Sequence, residues 1–116
     1  MNHTVWIAQL PIRYDSYLER RVPKVDVSPA KQFGGLNVVI DQPIDITTGV
    51  QRVRDRLTSE FSCKNDYLIQ TGEPIIFAAA LEAALSVTPD DGQVRVLYWL
   101  ARARAYKVIC VSPLLG

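Results

Sequence analysis

The sequence predicts a mixed α/β fold, at the border with α+β. The expected architecture is a mixed sheet of about five strands: a βαβαβ-like core, a C-terminal antiparallel hairpin, and two main helices packed on the sheet. Three observations predict it. Short runs rich in β-branched and aromatic residues alternate with segments of helical period. Each of the two longest helical segments stands between two strand-like runs, which implies crossovers and parallel strands. The last two strand-like runs are joined only by Ala101 to Ala105, a link of hairpin length. The 116 residues read as one domain, 1–116, long enough to bury roughly two-thirds of the unfolded surface.

Taken in order, Thr4 to Leu10 is rich in β-formers and stops at Pro11, giving a first strand. Arg13 to Lys24 mixes charges with two tyrosines and has no clean apolar period, so it reads as an irregular arm. Ser28 to Gly35 reads as one or two turns of helix: Ser28 suits an N-cap, Pro29 the first helical position, and the glycines a C-terminal stop. Leu36 to Ile40 is a second strand, ended by Asp41-Gln42-Pro43. Thr48 and Gln51 have capping-box spacing, with Thr47 as the rival cap. Val50, Val53, Leu57 and Phe61 then form one apolar stripe, so a helix is expected from about Thr48 to Phe61. Asp66 to Gln70 is a short strand, and Thr71-Gly72-Glu73-Pro74 a turn. The turn opens the most apolar helix, Ile75 to Ser86. Its Ile75, Ile76, Phe77, Leu81 and Leu85 wrap more than one face, which predicts a largely covered helix. Pro89-Asp90-Asp91-Gly92 is a strong turn. Val94 to Leu100 and Tyr106 to Val111 make the closing hairpin. Val96, Tyr98 and Leu100 alternate with Leu97 and Trp99, all apolar, which points to a strand covered on both faces, one by helices and one by another subunit or partner.

Hydrophobic residues make up 48% and charged residues 22% of the chain, a globular mix, and the formal net charge of +1 leaves electrostatic function to local patches. The opening Met1 to Ile7 lacks the basic start and apolar run of a signal peptide. The longest apolar stretch, Pro74 to Leu85, is too short to span a bilayer and is broken by Glu82. The expectation is therefore a soluble cytoplasmic protein without membrane attachment, in which Cys63 and Cys110 are free, buried or half-buried thiols.

Three sets of residues are candidates for function. Thr71, Gly72 and Glu73 lie where a parallel strand ends and a helix begins, a place where α/β folds bind anions. One glycine is not a phosphate loop, Glu73 is itself negative, and Pro74 lacks a donor, so the plainer reading is a turn that caps its helix. The second set follows from charge segregation. From Asp66 to Asp91 every charged residue is acidic, whereas from Gly92 onward all are basic: Arg95, Arg102, Arg104 and Lys107. These flank Tyr98, Trp99 and Tyr106. Such a hairpin suits a protein interface, where Trp, Tyr and Arg carry much of the energy, ahead of a nucleic-acid surface. The plain alternative is core aromatics with solvated basic tips. The third set is the arm, where Arg13, Arg20, Arg21 and Lys24 surround Tyr14 and Tyr17. It could clamp a partner or swap between subunits, or simply lie on its own domain.

Catalytic chemistry finds little footing. His3 is the single histidine and falls near a terminus where fraying is expected. Neither cysteine has a base within sequence reach. His3, Cys63 and Cys110 are too scattered for a zinc site. The expectations are no catalytic residue, no metal and no cofactor.

A wider pattern joins these segments. It comprises Asp66-Tyr67-Leu68-Ile69, Thr71-Gly72-Glu73-Pro74, the alanine-rich helix, Gly92-Gln93-Val94-Arg95-Val96-Leu97, Trp99 and Tyr106. With Val5-Trp6-Ile7-Ala8-Gln9 and Val27 to Gly35, it covers about two-thirds of the chain. It resembles small tailed-phage proteins of unsettled function. The sequence departs from that pattern at Glu73, where Asp is more usual, and at Leu100-Ala101, where a charged segment is more usual. The resemblance implies a phage or prophage product acting in the bacterial host cytoplasm, and it carries no catalytic residue over. The leading expectation is a non-enzymatic interaction protein that binds a host or phage protein through the terminal hairpin, with a homo-oligomer as one form. The alternatives are a nucleic-acid accessory protein using the same hairpin, and a small-ligand or nucleotide binder at Thr71 to Glu73.

Overall fold

The first strand, β1 (Thr4–Gln9), is apolar between its end residues, and a strand of that kind must be covered on both faces. In the computed structural model, which describes residues 3–114, Val5, Trp6, Ile7 and Ala8 are all buried. Val5 and Ile7 face one layer of the core, and Trp6 and Ala8 the other. β1 is flanked in parallel by β4 (Gly35–Ile40) and β5 (Asp66–Ile69). β6 (Val94–Leu100) continues the sheet in parallel beyond β5, and β7 (Ala105–Val111) closes it antiparallel. The strand order is β4-β1-β5-β6-β7. The expected five-stranded mixed sheet is therefore what the chain forms.

Two helices cover one face. α1 (Ile46–Glu60) connects β4 to β5, and α2 (Pro74–Ser86) connects β5 to β6. Val53 and Leu57 of α1 meet Ile76, Ala79, Ala80, Ala83 and Ala84 of α2 over Trp6, Leu68, Val94 and Val96. The alanines let the helices approach closely. Gly49 of α1 also sits tightly against α2, where a Cβ would lie 2.8 Å from Ile76 Cδ1. The opposite face is covered more thinly. A six-residue 3-10 helix, Ser28–Phe33, lays Ala30 and Phe33 against Val5, Ile7, Ile69 and Leu97. Behind it Gly34 passes so close to the start of β1 that a Cβ there would meet the His3 carbonyl oxygen at 2.4 Å.

The structure differs from the sequence expectations at identifiable points. The arm contains a second, two-stranded sheet, with β2 (Ile12–Asp15) antiparallel to β3 (Arg20–Pro23). α1 starts at Ile46 and its N-cap is Asp45, whose carboxylate accepts from Thr48 N at 2.9 Å and Thr48 Oγ1 at 2.7 Å. Those bonds hold the Asp45 carboxyl below its usual range. Gln51 turns to Asp55 instead of closing a capping box. α2 is covered on two sides only, with Ile75 and Glu82 exposed. Cys63 is half-buried and Cys110 exposed, both as free thiols. His3 is pinned, its Nδ1 2.7 Å from the Asn65 carbonyl. Among the described residues, no helix is long and apolar enough to cross a membrane.

Because Leu57 is fully buried between the helices, Leu57→Ala is expected to lower unfolding free energy by about 2–5 kcal/mol. Arg52→Ala on the exposed face of α1 is expected to change it by under about 0.5 kcal/mol. Urea midpoints at constant m-value measure both, and equal losses would show that the helix pair is not the core.

Candidate functional site

The register of the sheet creates the first candidate surface. β5 has four residues and β6 has seven. Tyr67, Leu68 and Ile69 pair with Arg95, Val96 and Leu97, so Tyr98, Trp99 and Leu100 project past the end of β5. Only β7 accompanies them, in the register Tyr98↔Lys107, Trp99↔Tyr106, Leu100↔Ala105. Val94, Val96 and Leu97 in the inner half of β6 are buried, whereas Tyr98, Trp99 and Leu100 in the outer half are partly exposed; on β7, Val108 and Ile109 stand opposite Leu97 and Val96. Tyr98, Trp99, Leu100, Val108 and Ile109 are each 37% to 45% exposed. Trp99 and Tyr106 stack edge to face at 4.9 Å between centroids, a favoured aromatic geometry. β7 is an edge strand, and it carries no proline and no acidic residue.

The hairpin tip, Ala101 to Arg104, displays Arg102 and Arg104 to solvent. Arg104 has φ +51°, the left-handed conformation in which a hairpin usually places Gly or Asn. Lys107 is exposed on β7. Tyr106 is half-buried, and its phenol is pushed up from the usual 10.0, first by burial and then by the Asp26 charge. Arg95 stands apart from this group. It lies at the amino end of β6, with Cζ 4.0 Å from the Tyr67 ring centroid. It donates to Tyr67 Oη and to the carbonyls of Lys64 and Asp66. The neighbouring Asp66 is a buried carboxylate that accepts from Trp6 Nε1 at 3.0 Å and Ser62 N at 2.9 Å. Arg95 thus ties β6 to β5, and the Asp66 carboxylate ties β5 to Trp6 of β1 and to the turn before it.

The Thr71–Glu73 turn is split between two places. Thr71 faces a small recess of about 290 Å³ shared with Asp26, Trp99 and Tyr106. Gly72 and Glu73 line a larger crevice of about 580 Å³. Gly72 has φ +87° and sits where a Cβ would meet the Gln9 carbonyl oxygen at 2.8 Å. Glu73 N donates to Gln9 Oε1 at 2.7 Å. The Glu73 carboxylate accepts from Ile75 N at 2.6 Å and Ile76 N at 3.1 Å and so caps α2. The β2–β3 arm folds over the same crevice and supplies Arg13, Tyr14, Arg21 and Lys24, while Tyr17 and Arg20 are exposed elsewhere on the arm. Two candidates from distant parts of the sequence therefore form one site. Gln9 and Gln42, which also line it, escaped sequence reasoning. Their positions just at or after the ends of parallel strands were the available signal.

Among the described residues, no group of three or more His, Cys, Asp or Glu side chains is placed to hold a metal ion. A family model described as Phage Pam3 gp32-like protein matches residues 3–113. No curated protein and no solved structure matches the chain.

Two backbone predictions follow from the turns. Gly72→Ala is expected to lower stability by about 1–3 kcal/mol, because it forces a side chain into a left-handed position against backbone. Arg104→Gly is expected to be neutral or to stabilise by up to about 1 kcal/mol. Thermal melts of the two variants test this, and a stable Gly72→Ala protein would contradict the turn geometry. At alkaline pH the folded chain keeps the Tyr106 proton that the unfolded chain releases. This contribution to stability therefore falls as pH rises above about 10. An ultraviolet titration should show one tyrosine ionising late, and Tyr106→Phe should remove that step.

Proposed function

Since the chain belongs to the Phage Pam3 gp32-like protein family, we propose that it works by binding another protein and not by catalysis. The setting is the cytoplasm of the bacterial host. The observation that carries the reading is the β6–β7 edge ribbon, where Tyr98, Trp99 and Leu100 at the outer end of β6 and Val108 and Ile109 of β7, opposite Leu97 and Val96, are all partly exposed. A stretch of this kind costs solubility unless something covers it. Its composition is that of an interface: Tyr98, Trp99, Leu100, Val108 and Ile109 as an apolar centre, with Arg102, Arg104 and Lys107 around them. The bare edge of β7 also offers backbone donors and acceptors for strand addition. Arg104 supports the same reading. It stands at φ +51°, where glycine fits more easily, and its exposed guanidinium lies at the tip of the ribbon.

The partner is a phage or host protein, and a second copy pairing β7 with β7 is one form that it can take. A nucleic-acid strand is the second reading, favoured by the basic residues beside Trp99 and Tyr106. Light scattering in low and high salt, followed by affinity capture from host lysate with and without nuclease, separates these outcomes. Trp99→Ala combined with Arg102→Glu and Arg104→Glu is expected to weaken the protein complex by about 2 kcal/mol or more. Ile109→Lys should weaken strand addition in the same assay. Nuclease-sensitive capture whose affinity falls steeply with salt would favour nucleic acid. Retention of every partner and of the oligomer by these variants would sink the reading.

A further inference from the structure

A second site, separate from the hairpin, lies at the carboxyl ends of the parallel strands. From β1 the chain crosses to β4 on one side, and from β4 it crosses back over β1 to β5 on the other. The connections leaving β1 and β5 therefore diverge, and a crevice opens between them, as it does in open α/β sheets generally. Here the crevice has a volume of about 580 Å³, within the range of small-molecule sites.

Its chemistry is one-sided. Arg13, Arg21 and Lys24 line it, against the single carboxylate of Glu73. That carboxylate is already engaged by the first N–H groups of α2. Asp15 approaches Arg13 loosely at 3.7 Å, and it also accepts from Tyr17 N and Leu18 N. Among the described residues, no carboxylate comes within 4.0 Å of Arg21 or Lys24. Gln9 Oε1 accepts from Glu73 N, which leaves the Gln9 amide N–H₂ to donate. Charged donors thus outnumber free acceptors.

The walls are not uniformly polar. Tyr14 stands directly across the arm from Arg21 in the β2–β3 register, so ring and guanidinium share one face of the ribbon. Leu10, Pro11 and Ile12 continue the apolar side. The ribbon is fastened at its base, where Lys24 N donates to the Pro11 carbonyl at 2.7 Å. Guanidinium groups match phosphate oxygens bidentately, and a tyrosine ring beside them suits a planar or apolar group on the same ligand.

We propose that this crevice binds a small phosphate-bearing ligand of nucleotide size. Arg21 and Lys24 hold the phosphate, and Tyr14 covers the attached ring. The phosphate chemistry could be met by a free nucleotide or by a nucleic-acid backbone. The crevice volume, about 580 Å³, suits a free nucleotide.

The test is calorimetric titration of the full chain with AMP, GMP, CMP and UMP. Parallel titrations use inorganic phosphate, the corresponding nucleosides, and a single-stranded oligonucleotide. At least one mononucleotide should bind and the nucleosides should not. Arg21→Glu with Lys24→Glu should weaken binding by about a hundredfold or more. Tyr14→Ala should weaken the mononucleotide but not inorganic phosphate. Trp99→Ala should leave the titration unchanged, which separates this site from the hairpin. Circular dichroism and melting temperature confirm that the variants are folded. Absence of heat and of a melting shift with every phosphate probe at millimolar concentration would overturn the proposal. So would binding that survives the arm variants, or binding of the oligonucleotide alone.

Discussion

Everything in this fold depends on β1 being dry on both sides. Val5 and Ile7 look one way, Trp6 and Ala8 the other, and none of the four tolerates water. A parallel strand of this composition cannot exist at the surface, so the chain must supply two covers from limited material. It spends its two long helices on one face and closes the other with a six-residue 3-10 helix. The asymmetry explains the remaining surface. The thin cover reaches Ile69 and Leu97 and stops there, while the helix pair reaches Val94 and Val96. Beyond those residues Tyr98 and Leu100 of β6 continue partly exposed, while Trp99 stacks on Tyr106, which packs against the thin cover.

The reversal of direction at β1 has a second result. The crossover through the 3-10 helix and the crossover through α1 run on opposite faces and to opposite sides of β1. The loops at its carboxyl end are drawn apart, and the β2–β3 arm occupies the gap. The carboxylate at the start of α2, which looks repulsive to anions in the sequence, is turned to the N–H groups that it caps. Three arm cations line the crevice against that one carboxylate. The hairpin and the crevice are separate consequences of the same topology.

What the sequence made legible was whatever local pattern encodes. Val53 and Leu57 at helical spacing, the alanine-rich segment after Pro74, and the β-rich runs around Trp6 and Val96 all identified their elements. The helix start was misplaced because Thr47 and Thr48 are good caps nearer the apolar stripe than Asp45. The arm strands went unseen because Arg13-Tyr14-Asp15 and Arg20-Arg21-Val22 have no apolar alternation. They are held by pairing with each other over a crevice that only the folded sheet creates. The apolar residues on both faces of β6 were read as two covered faces. The length mismatch between β5 and β6 decides which half that applies to, and strand pairing is not written in either segment alone. The meeting of the arm with Gly72 and Glu73, about sixty residues away in sequence, is a tertiary fact with no local trace.

The central position of β1 also has a temporal side. Its neighbours in the sheet are β4 and β5, and Trp6 finds its hydrogen-bond partner in Asp66, sixty positions later. At a synthesis rate of about 5–20 residues per second, β1 waits some seconds for that partner. Until then Val-Trp-Ile-Ala, even with β4 available on one side, keeps one edge open and its faces apolar, the kind of segment that chaperones hold and that aggregates when they do not. A two-stranded ribbon such as the arm is marginal by itself, so it too depends on the sheet beneath it. The second edge of the central strand closes only when β5 is delivered.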